Sequence, residues 1–175
     1  MTNPITLTDL LRRPKAVVAA IGAQVVGAEA SLIQHASNLV AIKITFAPPL
    51  ELKPHGYPDE AVRIVQLADT NRHPLPYALP DGPPRTWEHR YPVSAPLYIA
   101  ALCLWYPDDP PALRWDWSQD FLIYVAIVQR HLWSEEYYRR TGCWPAEDAP
   151  HGRRPDGAPH PIRSIHNFNV TRTTS

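Results

Sequence analysis

The chain of 175 residues carries two cysteines, Cys103 and Cys143, and eight histidines. Cys103 stands in LYIAALCLWYPDDPPALRWDW, where an apolar run gives way to an acidic, proline-rich turn. A thiol does chemistry when its thiolate is accessible, either as the nucleophile of an acyl transfer or as a metal ligand. His89 lies upstream and could relay a proton or donate to an oxyanion, although a histidine that hydrogen-bonds its own loop accounts for it equally well. Asp108 and Asp109 follow the thiol and could orient an incoming amine, but Asp-Asp-Pro-Pro is also what a surface turn uses. Cys143 and His151 lie in TGCWPAEDAPHG. With Cys103 and His89 they make an inventory that could hold zinc, but no CxxC or HxxxH pair supports it. On spacing alone Cys103 reads as a structural cysteine, because free cysteine is among the most buried residue types.

The surrounding elements show what could position these groups. Leu7, Leu10, Leu11, Val17, Val18 and Ile21 fall near helical spacing, Thr6 and Asp9 are placed as a capping box, and Pro14 kinks this helix or starts a second one. Leu39 to Phe46 alternates as a half-buried strand, with Val40, Ile42, Ile44 and Phe46 on one face. Ser31 to His35 is its expected partner across a Ser37-Asn38 turn. Ala61 to Leu67 is a third strand, whose pattern slips between Ile64 and Val65 as for a bulge or burial on both faces. The stretch PLPYALPDGPPRTWEHRYP reads as a long stiff loop, neither helix nor central strand. After Cys103 comes the best helical pattern, with Phe121, Leu122, Val125, Val128 and Leu132 as its stripe. Ser118 can cap it, it runs to about Arg140 either whole or in two pieces split near Trp133-Ser134, and Gly142 is its stop. Strands followed by helices define an α+β fold.

Composition narrows the function. The chain is 45% hydrophobic and 19% charged, enough for a real core, and its formal net charge is zero, which removes the basic footprint of a nucleic-acid binder. Its start lacks a signal-peptide pattern, and the apolar run from Ala95 to Tyr106 falls short of the roughly 20 residues a membrane span needs. A soluble cytoplasmic protein is expected. Proline (21) outnumbers glycine (7), so long sections must be irregular yet stiff. There is no GxxxxGK[ST] loop to activate a carboxylate with a nucleotide.

The order of elements resembles the ubiquitin-conjugating (E2) fold: an N-terminal helix, an antiparallel meander, a proline-rich segment, a histidine turn, and a cysteine followed by leucine. Here Pro83-Pro84, His89-Arg90-Tyr91 and Leu102-Cys103-Leu104 carry that match, with Trp117-Ser118 resembling the tryptophan and serine that follow the E2 cysteine. HRYP, LCLWYP and TGCWPAEDAPHG are most similar to the stand-alone E2-like proteins of bacterial antiphage cyclic-oligonucleotide signalling (CBASS). The likeness in element order runs from about Leu7 to Gly152. It implies one E2-like domain over residues 1–152 and a polar tail over 153–175.

The resemblance implies acyl transfer without metal or cofactor. Cys103 would carry the C-terminus of a protein, expected to be the cyclic-oligonucleotide synthase, as a thioester, and pass it to an amine that the sequence leaves open. Eukaryotic E2 proteins place an asparagine after the histidine, whereas Arg90 and Tyr91 stand here. The oxyanion would then be met by backbone N–H groups, His89 or Tyr91. The stretch from His89 to Cys103 is also longer than in the eukaryotic pattern. The activated acyl group comes either from a separate protein or from direct attack on a strained carbonyl. A non-catalytic E2-like module is the alternative, gripping its partner through an aromatic and proline-rich surface. Trp105, Trp115, Trp117 and Trp133 could form part of it, although at least half of them are expected to cover the core instead.

Overall fold

The computed structural model describes residues 3–68, 73–79, 90, 101–105 and 114–145. The chain enters its first helix through the expected capping box: the Asp9 N–H donates to the Thr6 hydroxyl at 3.2 Å, and the Thr6 N–H donates to the Asp9 carboxylate at 3.0 Å. That helix, α1 (Leu7–Arg12), stops at Arg13, and Pro14 opens a second one, α2 (Pro14–Gln24). Proline suits the first helical position because no intrahelical bond needs its missing N–H.

Four strands follow in a plain antiparallel meander: β1 (Ala28–Ala36), β2 (Leu39–Phe46), β3 (Glu60–Leu67) and β4 (Leu75–Leu79), in the spatial order β1-β2-β3-β4. β2 begins and ends where its alternation predicts, and Ser37-Asn38 turns the chain from β1 into it. Two expectations need correction. β3 alternates regularly, burying Glu60, Val62, Ile64 and Gln66, so it has no bulge and is not buried on both faces. Val65 sits on the outer face, and the polar Gln66 takes the inward position, its amide donating to the Leu67 carbonyl at 2.7 Å. The register irregularity lies in β1 instead, between Leu32 and Gln34.

The second correction is β4, which occupies Leu75–Leu79 within the stretch expected to be loop only. It is internal as well: it pairs with β3 on one side and is bridged to Ala101 through Tyr77 on the other. Pro76 is tolerated because of where its missing donor points. In an antiparallel ladder the N–H and C=O of one residue face the same neighbour. The Pro76 carbonyl accepts the Leu102 N–H at 2.8 Å, so the lost donor falls on the Leu102 side and the β3–β4 ladder keeps its bonds.

The last described element is α3 (Phe121–Thr141), one unbroken helix, so of the two alternatives it is whole, with no split near Trp133-Ser134. Its N-cap is Asp120, not Ser118. The Asp120 carboxylate accepts the Leu122 N–H at 3.0 Å and also the Ile5 N–H at 3.1 Å, tying the chain start to α3. Ser118 is spent in a turn, its N–H donating to Asp116 at 2.7 Å. Gly142 ends the helix as predicted, at a left-handed φ of 69° that suits glycine. Leu10, Val17 and Ile21 join Ile42, Ile44, Phe46, Val62 and Ile64 and the Val125, Val128 and Leu132 stripe of α3 in one core. The observed architecture is therefore α+β. No helix among the described residues is long and apolar enough to cross a membrane.

Candidate active site

Cys103 leaves the sheet just after the two bridged residues Ala101 and Leu102. The registers Leu32–Ile42–Ile64–Pro76, the Leu102 bond to Pro76 and the Leu102–Arg90 bridge make one continuous row on the helix-covered face. Successive strand residues alternate faces, so Leu102 belongs to the core while its neighbours point away from it. Burial agrees. Ala41, Ala101 and Cys103 are buried yet stand outside the cluster shared by sheet and helices. The other face also carries the row Lys43–Arg63–Tyr77–Ala101, with the Arg63 guanidinium 5.3 Å over the Tyr77 ring. The thiol therefore lies on the sheet face turned away from the helices.

Cys103 is 9% exposed, and its Sγ donates to the Trp105 carbonyl at 3.4 Å, a contact that ionisation would have to break. Trp105 leads into an aromatic wall. Its ring meets His73 edge-on at 4.8 Å and Tyr124 at 6.2 Å, and Trp115 lies 4.9 Å from Tyr124. The Tyr124 hydroxyl donates to the Pro74 carbonyl at 2.6 Å, and the Trp115 N–H to the Asp120 carbonyl at 3.1 Å, so both polar tips are satisfied. Trp117 stacks on Phe121 at 5.6 Å and packs against the core.

Sequence reasoning missed His73. Burial pushes its imidazole below the ordinary histidine value, with Asp116 opposing and Arg114 adding to that push. Its Nδ1 is buried without a hydrogen-bond partner among the described residues.

A second group lies on the other side of Leu102. Arg90, across the bridge from Leu102, forks onto Glu135 of α3, Nε donating at 3.0 Å and Nη2 at 2.6 Å. The side chains are 10% and 1% exposed. Burial opposes ionisation of Glu135, but His131 and Arg90 outweigh it and hold the carboxyl down at about 2. The His131 Nε2 stands 3.6 Å from the same carboxylate, whereas both arms of the Arg90 fork lie within hydrogen-bond distance of it. The His131 ring also lies 5.3 Å from Trp144. One turn further on, Arg139 links Glu136 to Glu60 of β3, and Arg140 reaches Glu136 at 2.6 Å and the carbonyls of His55 and Gly56 at 2.7 Å. The i,i+4 spacings of His131 with Glu135 and of Glu136 with Arg140 are the local sequence signals of this group.

His89, Tyr91, Asp108, Asp109 and His151 lie outside the described residues. Of the His89-Arg90-Tyr91 turn only Arg90 is described, opposite Leu102. Cys143 is exposed at the end of α3, its N–H donating to the Thr141 hydroxyl at 3.2 Å, and both cysteines are free thiols. Among the described residues no three His, Cys, Asp or Glu side chains gather as a metal site. Comparison of the chain with protein-family models, curated proteins and solved structures found no match.

Proposed function

We propose that the chain is an E2-like acyl carrier with Cys103 as its nucleophile. The supporting observation is one of order and place. A helix-led antiparallel meander is followed by a cysteine segment joined to its far strand, and then by a long helix packed on the opposite face. That is the sequence of elements in the ubiquitin-conjugating fold.

In this reading the Cys103 thiolate attacks the activated C-terminal carbonyl of a protein. A C–S bond forms and the activating group departs with the bonding electrons. An amine then attacks the thioester carbonyl, the C–S bond breaks, and the thiolate leaves as the amine loses a proton. The partner is the C-terminus of a cyclic-oligonucleotide synthase in bacterial antiphage defence. His89 is assigned the proton relay, with Tyr91 or backbone N–H groups meeting the oxyanion. Asp108 and Asp109 are assigned to orienting the incoming amine, and His151 is a further supporting candidate.

A second reading, the non-catalytic binding module, is favoured by the small exposure of Cys103. Substitution separates the two. Cys103→Ala should abolish conjugation of the partner while leaving copurification intact, and Cys143→Ala should change neither. If Cys103→Ala protects as well as the parent protein does and still copurifies with the partner, the binding module is correct.

A further inference from the structure

The segment that carries Cys103 is held to β4 by an incomplete ladder. Opposite Leu102 stands Pro76, which accepts one hydrogen bond at 2.8 Å and has no N–H to return the second. On its other side the same Leu102 is bridged to Arg90, and the Arg90 side chain is anchored in α3 by two bonds to Glu135, a carboxylate 1% exposed. A fork between guanidinium and carboxylate fixes direction as well as distance, which a single ladder bond does not. Where the sheet loses a donor, the helix supplies a charge-assisted tie. Leu102 takes the core position of the shared row, and Cys103 must then face away from it. A slip of one residue would turn the thiol into the helix layer.

We infer that Arg90 and Glu135 are a positioning pair that fixes the register of the 101–103 segment and so the presentation of the Cys103 thiol. The consequence for acyl transfer rests on the carrier reading above. The control over the thiol itself does not. Neither residue touches the reacting atoms. Loosening the pair frees Cys103 to reach small reagents while spoiling the single orientation in which a protein C-terminus could be received. Small-reagent labelling and partner conjugation should therefore move in opposite directions, which general destabilisation does not produce.

The experiment uses the full chain with Cys143→Ser, so that only one thiol reports. Iodoacetamide labelling of Cys103 is followed by mass spectrometry across pH in the parent, Arg90→Lys, Glu135→Gln and Leu10→Ala. The last is a remote core variant used to match the loss of melting temperature. Labelling should accelerate about tenfold in Glu135→Gln through local opening, and less in Arg90→Lys, which keeps the charge but not the fork. Leu10→Ala should stay within about twofold of the parent, since the opening it favours is not local to the thiol. Equal labelling of the pair variants and Leu10→Ala overturns the proposal. If Glu135→Gln does not fold, Arg90→Lys decides by the same comparison. Absence of a partner adduct in the parent sinks the carrier reading alone, and the labelling rates still decide the positioning pair.

Discussion

The two ends of α3 dock on the same sheet by different physics. Its N-terminal half buries Phe121, Tyr124, Val125 and Val128 against Trp115, Trp117 and the sheet, where contact area and shape decide. Its C-terminal half adds to the buried Leu132 and Trp133 a set of buried polar groups, His131, Glu135 and Glu136, with the two carboxylates met by Arg90, Arg139 and Arg140. An apolar contact tolerates rearrangement at a cost that scales with the void left behind. An ionic contact is closer to all or none, because removing one partner strands a buried charge. The fold uses the tolerant mode where it builds the core and the exacting mode beside the bridge that leads to Cys103.

The largest effects test that contrast. Trp115→Ala should destabilise by about 3–5 kcal/mol through lost packing, and Glu135→Ala by about 3–5 kcal/mol through the stranded Arg90, both measured by denaturant unfolding. The rescues should differ. Arg90→Met with Glu135→Leu should recover most of the stability, since an apolar pair of similar volume can replace a buried ion pair, yet labelling of Cys103 should remain fast. If the double variant is as unstable as Glu135→Ala, the pair matters for more than burial of charge.

Acid titration separates the halves next. Glu135 sits at about 2 against an ordinary 4.5, so its contribution is present above pH 4.5 and is lost as pH falls towards 2. That amounts to about 3 kcal/mol. Glu60 has the opposite sign: burial raises its carboxyl despite Arg139, so its contribution is present below 4.5 and declines as pH rises through the folded value. Melting temperatures from pH 2 to 7 should show a flattened acid limb in Glu135→Gln. In Glu60→Gln the decline that sets in above pH 4.5 should disappear. An unchanged acid limb in Glu135→Gln would mean that the ion pair does not carry the docking.

Smaller effects sharpen the apolar end. Tyr124→Phe leaves the Pro74 carbonyl without its bond and should cost about 1–2 kcal/mol by denaturant unfolding. Asp120→Ala should cost about 1 kcal/mol as a lost cap, whereas Ser118→Ala should change stability by less than about 0.5 kcal/mol. Equal losses from the last two would restore Ser118 as the cap.

The same division explains what the sequence made legible. The bounds of β2, the Ser37-Asn38 turn, the Thr6–Asp9 box, the α3 stripe and the Gly142 stop each follow from a local rule of period or backbone conformation. β4 did not, because Pro76 vetoes a central strand unless its missing donor is known to face a neighbour that can spare it. That neighbour, Leu102, is 26 positions away. The N-cap was misplaced because Ser118 and Asp120 are both good caps, and only the second meets Ile5. Nothing local marks Glu135 and Glu136 as buried, since Arg90, the partner of Glu135, and Glu60, which Arg139 ties to Glu136, lie far off in sequence. The thiol itself was legible as a candidate, but its outward face follows from the Pro76–Leu102–Arg90 row, which pairing alone reveals.

The most direct test of the carrier account is intact-protein mass spectrometry of the chain purified from cells that also make the synthase. The account predicts a covalent adduct with the mass of the partner chain, cleaved by thiol reductant and by neutral hydroxylamine. The adduct should be absent in Cys103→Ala and present in Cys143→Ala. Stoichiometric copurification with no adduct at Cys103 would contradict it and leave a binding module in its place.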